Sequence, residues 1–373
     1  MRRLTKAGCL LLAAAVVTPP TMIPAAAQQP IFSQDALNGA FVLSNRNRIP
    51  PGHARRNADS GGTTDGGTTD GGSVDSGGTN GGDSGTQTIV EEVDTYQPPL
   101  APPPPLQAWM SPEVGQAWSM GFQGQGATIT VVDDFVGNFS SFSGDLGDGS
   151  TRKLHGEWTL QQASMIAPSA SMVAHDWGSG AVRLVPDRLN VLNLSYAIFG
   201  SSSGTVRWGP RETSIINAAR DGTAVVVKAA GNDGVAVDGT NRNGNVDALN
   251  LSLIGQQSAI FVGALNRNGT PEAKASRAGY SNIAGDDPRA QQQFLTVGVD
   301  SSIIGLRGTS FAAPIISGYA AIVGSKFTSA TPTQIASQLL STARTDTING
   351  YSARIHGRGE ASIARALAPV SIR

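Results

Sequence analysis

From Trp109 onward, short apolar runs rich in valine and isoleucine alternate with longer, helix-prone segments. Strand-like runs lie at residues 128–132, 171–175, 191–194, 224–229 and 259–264, and a further apolar run covers 294–306. Helical stretches fit residues 155–166, 212–221, 310–323 and 333–342. Strands separated by helix-length crossovers pair in parallel, and a parallel sheet is covered on both faces. The alternation therefore predicts an α/β fold, a three-layer sandwich around a mostly parallel central sheet. In such sheets the functional groups collect at the carboxyl ends of the strands.

The beginning of the chain obeys different rules. Residues 1–27 carry Arg2, Arg3 and Lys6, then an apolar stretch from Cys9 to Val17, then Ala25-Ala26-Ala27. A basic start, a short apolar core and a small-residue end make a secretory signal peptide, and the apolar part is too short to span a bilayer. The mature chain is expected to be secreted, periplasmic or held at the cell surface. Residues 28–107 hold the near-repeat GGTTDGGTTDGG and then Pro98-Pro99 and a proline run at 102–105. Such composition cannot bury enough apolar surface to offset its ordering entropy, so a flexible tether with a stiffer polyproline end is expected. The folded domain is assigned to residues 108–373.

Cys9 is the sole cysteine and lies within the expected signal peptide, so thiol catalysis, disulfides and cysteine-bound metals are excluded from the mature chain. With 27 Lys and Arg against 28 Asp and Glu, the net charge of −1 gives no electrostatic footing for nucleic acid. A monomer with no membrane-spanning segment is expected.

Four motifs at or near strand ends carry chemistry. The strand-like Ala127–Val132 run ends in two carboxylates, Asp133 and Asp134, and strand register favours Asp133 as the inward group. His155-Gly156 opens a helix-prone stretch that runs to Ala167-Pro168-Ser169-Ala170. VVVKAAG (225–231) delivers Asn232, followed by Asp233-Gly234; alone, Asn-Asp-Gly would be an ordinary turn. Gly308-Thr309-Ser310-Phe311-Ala312-Ala313-Pro314 puts a serine at the first turn of a helix; an isolated Gly-Thr-Ser is more often a plain helix cap.

The whole string GTSFAAP is similar to the serine-nucleophile motif of the subtilisin-like serine proteases (subtilases, peptidase S8), and KAAGND resembles their oxyanion motif. The resemblance extends from about Trp109 to Leu367, with weaker echoes at Tyr280-Ser281-Asn282 and at Gly357–Ala361. It implies a subtilisin-like fold, a triad of Asp133, His155 and Ser310 in the order subtilisin uses, and Asn232 as the amide donor to the oxyanion. It also implies that Leu194, Ser195, Tyr196, Ala197, Ala230 and Gly231 bind an extended polypeptide substrate. Asp134 and Phe135 stand where the family usually has Thr or Ser and then Gly, the next glycine being Gly137; Glu157-Trp158-Thr159 departs from its usual small residues after histidine, and Ala197 replaces a usual glycine. No cofactor is required by such chemistry, and no catalytic metal. A structural calcium ion is an expectation of the resemblance, with the Asx-rich loop 238–247 as its candidate site.

Two functions follow. One is an exported serine endopeptidase working through an acyl-enzyme; the other is a catalytically inactive subtilase-fold binding module on a flexible tether. An α/β-hydrolase esterase is disfavoured because Ser310 does not sit in a Gly-x-Ser-x-Gly elbow.

Overall fold

Ala127–Asp133 is buried at every position, which only a strand covered on both faces can be. It is β1 of a six-stranded sheet completed by β2 (Ser171–Asp176), β3 (Leu189–Leu194), β4 (Val225–Ala229), β5 (Ala259–Leu265) and β6 (Phe294–Gly298). The strand order is β6-β5-β4-β3-β1-β2, and every pairing is parallel. The chain thus enters the sheet one strand in from an edge, steps to that edge and then winds back across to the other. The structure is a computed structural model and describes residues 100, 102–137, 141–201 and 206–372. The expected signal peptide and residues 28–99 of the expected tether lie outside the described residues.

Alternate side chains of each strand enter two cores. Ile129, Val131, Val225, Val227, Ile260 and Val262 face one layer of helices: α1 (Pro112–Ser119), α2 (His155–Ile166), then α5 (Ala313–Lys326) and α6 (Pro332–Ser341). Val132, Leu192, Leu194, Val226 and Phe261 face the other layer, made by α3 (Pro210–Asp221) and α4 (Ala248–Leu253). The two-residue period of a strand and its burial on both sides account for this partition. Among the described residues no helix is long and apolar enough to cross a membrane.

Local departures from the sequence reading have physical causes. The stretch after Gly308 does not begin its α-helix at Ser310: Thr309–Phe311 form a 3₁₀ turn and α5 starts at Ala313, with Pro314 in its first turn. Proline lacks the N–H that this turn could not use in any case. The apolar run 294–306 is strand only to Gly298, because the Asp300 side chain accepts from Ser302 N–H and starts a short helix, Ser301–Ile304. α5 is buried almost all round, and small residues make this feasible. A Cβ on Gly318 would lie 2.4 Å from Ile166 Cγ2, so α2 and α5 approach at that point more closely than any larger residue allows.

The two ends of the domain are fastened together. The Glu113 carboxylate of α1 accepts from Ser362 Oγ at 2.9 Å and Ala364 N–H at 3.1 Å, at the start of the C-terminal helix Ile363–Leu367. Arg344 lies 3.4 Å from the same carboxylate. Close by, Glu360 is 5% exposed and accepts from Gly269 N–H at 2.9 Å. Burial pushes its carboxyl from 4.5 up to about 7, against the opposing effects of Thr347, Gly269 and Arg344.

A carboxyl that holds its proton more tightly when folded stabilises the protein fully below about pH 4.5, and that contribution is lost as pH rises through about 7. The shift corresponds to roughly 3 kcal/mol. Unfolding wild type and Glu360→Gln in urea from pH 4.5 to 8 should show the wild type losing about that much more stability than the variant. Parallel curves would show that Glu360 titrates normally.

Candidate active site

β1 ends on Asp133, which has no exposed surface. Its Oδ1 lies 2.7 Å from His155 Nδ1 and also accepts from Asp134 N–H at 2.8 Å. Its Oδ2 accepts from Thr159 Oγ1 at 3.2 Å. A buried carboxylate needs such partners, and together they fix the plane of the acid. The neighbouring Asp134 turns elsewhere: its Oδ1 accepts from Gly137 N–H at 3.0 Å, and its backbone carbonyl accepts from Gly156 N–H at 3.1 Å. Of the two acids offered by the sequence, Asp133 is the one that reaches the imidazole.

His155 is the first residue of α2. That helix start is held by Glu157, whose Oε2 accepts from Leu154 N–H at 2.7 Å, a reach-back typical of a first-turn acid. His155 is 1% exposed, and its imidazole contacts two aromatic rings, Phe142 at 5.7 Å and Phe311 at 5.5 Å between centroids. Phe311 directly follows Ser310, so the ring and the serine come from neighbouring positions in space as well. The two other histidines among the described residues lie elsewhere: His175 is the penultimate residue of β2 and contacts Gly180 O at 3.1 Å, and His356 stacks on Tyr351. Burial lowers the pKa of both.

Ser310 sits in the 3₁₀ turn ahead of α5. Its hydroxyl donates to Ser195 O at 3.0 Å, while Ser195 Oγ donates to Ser310 O at 2.9 Å. Asn193 Nδ2 donates to Ser195 Oγ, and Ser317 Oγ donates to Asn193 Oδ1. The end of β3 is thus laced to the start of α5.

Asn232 follows β4. Its Oδ1 accepts from both Thr309 N–H at 2.8 Å and Thr309 Oγ1 at 3.0 Å. With the carbonyl end of the amide occupied, the NH₂ end is the donor left for the small pocket that Asn232 lines with Ser310. Ser195, Tyr196, Ala197 and Gly231 line the same pocket. Leu194 and Ala230 are fully buried behind it, in the core.

The sequence assigned no role to the groups that hold this arrangement, although Asn282 lay in one of its weaker echoes. Asn282 Oδ1 accepts from Asp233 and Val235 N–H, and its Nδ2 donates to Ala230 O, so it buttresses the whole turn that presents Asn232. Its place in the Tyr-Ser-Asn string was the available signal. Thr159, one turn into α2, was legible only as a departure from small residues. Lys228 and Asp247, which pair at 3.0 Å while 1% and 6% exposed, had no signal at all, being 19 positions apart on separate elements.

Two Asx side chains of the loop 238–247, the candidate calcium site, are engaged by groups of the protein itself. Asn241 Oδ1 accepts from Asn243 and Asn245 N–H, and Asp247 is engaged with Lys228 and with the N–H groups of Ile198 and Leu249. Among the described residues no group of three or more His, Cys, Asp or Glu side chains is placed to hold a metal ion, whereas calcium takes six to eight oxygens.

The model of the subtilase family, peptidase S8, matches residues 153–359, a stretch that contains His155, Asn232 and Ser310 and begins after Asp133. Mycosin-5 of Mycobacterium tuberculosis is 29% identical over 209 residues, which cover 50% of this chain and 34% of the relative. The match therefore spans about a third of that curated relative's length. Among solved structures, MycP1 from the ESX-1 type VII secretion system aligns over 68% of this chain and 83% of its own, at 19% identity and a TM-score of 0.46. MycP1 from Mycobacterium smegmatis aligns over 68% and 82%, at 18% identity and a TM-score of 0.45.

Gly231 has φ +110°, and a Cβ there would lie 2.4 Å from Asn282 Nδ2. Gly231→Ala should therefore cost roughly 1–3 kcal/mol in urea unfolding. An unchanged midpoint and slope would show that the turn is not strained.

Proposed function

The chain belongs to the subtilase family, and we propose that it is an exported serine endopeptidase acting through Asp133, His155 and Ser310. The observation that carries this reading is the 2.7 Å contact between His155 Nδ1 and Asp133 Oδ1, both side chains fully buried. An ionised carboxylate only accepts, so Nδ1 carries the proton and Nε2 is left basic.

The chemistry follows from those roles. Ser310 Oγ turns about its Cα–Cβ bond from the Ser195 carbonyl toward Nε2, gives up its proton and attacks the peptide carbonyl carbon. The carbonyl oxygen gains negative charge and is met by Asn232 Nδ2 and the N–H of Ser310. Collapse expels the amine, which takes the proton from His155 Nε2, and leaves an ester on Ser310. Water, deprotonated by the same imidazole, hydrolyses the ester. Asp133 holds the tautomer throughout and stabilises the imidazolium. The substrate lies extended along Ser195–Ala197, just past the buried end of β3, where main-chain hydrogen bonds give affinity without demanding a sequence. No cofactor takes part.

The residue pattern at 1–27 supports export, with cleavage after Ala27. Mass spectrometry of the secreted species should find its N-terminus at or beyond Gln28; a chain beginning at Met1 would argue against export.

A silent binding module is the second reading, favoured by the Ser310 hydroxyl donating to Ser195 rather than to the imidazole. A fluorophosphonate probe separates the two. Wild type should label at Ser310 and cleave unfolded protein, and Ser310→Ala should do neither while keeping its melting temperature. Absence of label on folded wild type would leave only the binding module. Asn232→Ala should lower kcat by about 10²–10³, the loss measured for the matching donor of subtilisin; an unchanged kcat would remove Asn232 from the oxyanion site.

A further inference from the structure

The pocket beside Ser310 is nearly filled. Its volume is about 20 Å³, close to the space one water molecule needs. Residues of the segment after β3 (Ser195, Tyr196, Ala197, Phe199) and of the segment at the end of β4 (Lys228, Ala229, Gly231, Asn232) line it together. Lys228 is 1% exposed; its Nζ lies 3.0 Å from Asp247 Oδ2 and donates to Ala229 O at 2.6 Å. Asp247 is itself tied down, since Oδ1 accepts from Ile198 N–H and Leu249 N–H, both at 3.1 Å. The pair therefore bridges the segment that contains Ile198 and the segment at the end of β4. Swinging the lysine aside would strand a buried carboxylate, which is strongly unfavourable. This part of the lining is fixed.

A peptide bond attacked by Ser310 must place its carbonyl carbon at Oγ and its oxygen at the Asn232 amide. The side chain carried on the Cα bonded to that carbon is then the one placed to enter a pocket that Ser310 and Asn232 themselves line. We propose that Lys228 and Asp247 are specificity-determining residues, closing this pocket so that it accepts only glycine, alanine or serine on the acyl side of the cleaved bond. This rests on Ser310 being the nucleophile. Because the two charges satisfy each other, the pair offers no partner to an acidic or a basic substrate side chain. Selection is by size. Each methylene that does not fit a closed apolar pocket is worth about 10- to 200-fold in kcat/KM.

The test uses the full secreted chain and a set of quenched peptides differing only at the acyl-side residue: Gly, Ala, Ser, Leu, Phe, Lys and Glu. Active sites are counted by fluorophosphonate labelling. Wild type should cleave after Ala at least ~100-fold faster than after Phe. Lys228→Ala combined with Asp247→Asn, which removes both charges together, should narrow that ratio at least ~10-fold by gaining on Leu and Phe. Lys228→Met with Asp247→Asn keeps the bulk without the charge and should keep the wild-type ratio. Comparable wild-type rates after Phe, Leu, Lys or Glu and after Ala would overturn the proposal, and so would an unchanged ratio in the labelled alanine variant. Should a variant fail to label, the wild-type panel decides alone. A wild type that neither labels nor cleaves any peptide would sink the nucleophile reading and this inference with it, whereas efficient cleavage after large residues would sink the inference only.

Discussion

The Asp133 carboxylate is withdrawn from water at the end of a central strand, and the cleft is built around the way its oxygens are used. Burying an unpartnered carboxylate is prohibitive, so the fold supplies a backbone N–H from Asp134, a hydroxyl from Thr159 and an imidazole N–H from His155. Two of those partners lie on α2, which therefore has to begin where it does. The imidazole is then packed against Phe142 and Phe311. Thus the demand of one buried charge sets the start of a helix, the tautomer of a histidine and the position of the turn that carries Ser310.

Much of this was legible in the sequence because it is local. Strand-period apolar runs gave the parallel sheet, since β1 and β4 are buried on both faces and read as continuous hydrophobic stretches. The positions of Asn232 and Ser310 were marked by KAAGND and GTSFAAP, and those of Asp133 and His155 by a strand end and a His-Gly pair, all through their resemblance to subtilase motifs. Boundaries were less readable. The serine was expected to open an α-helix but occupies a 3₁₀ turn ahead of it, and the 294–306 run divides at an aspartate cap.

What stayed hidden depends on contacts between distant segments. Asn282 steadies the Asn232 turn from 50 residues away, and the Ser195–Ser310 exchange spans 115. Lys228 lies in an otherwise apolar strand, where a charge argues against burial until Asp247 is found beside it. Burial lowers the lysine's pKa, and the Asp247 carboxylate opposes that drop. Pattern reading ranks each residue by its own neighbours, so a residue tolerated only because of a remote partner escapes it.

The clasp between Glu113 and the Ser362–Ala364 segment gives the domain the character of a closed loop. Its first helix is anchored by its last, so neither end can fray without releasing the other. Unravelling of the folded domain through either of these helices must first break the hydrogen bonds that join them. The same closure suits the domain to being cut open at a surface turn and rejoined through its original ends, as chains with adjacent termini generally tolerate.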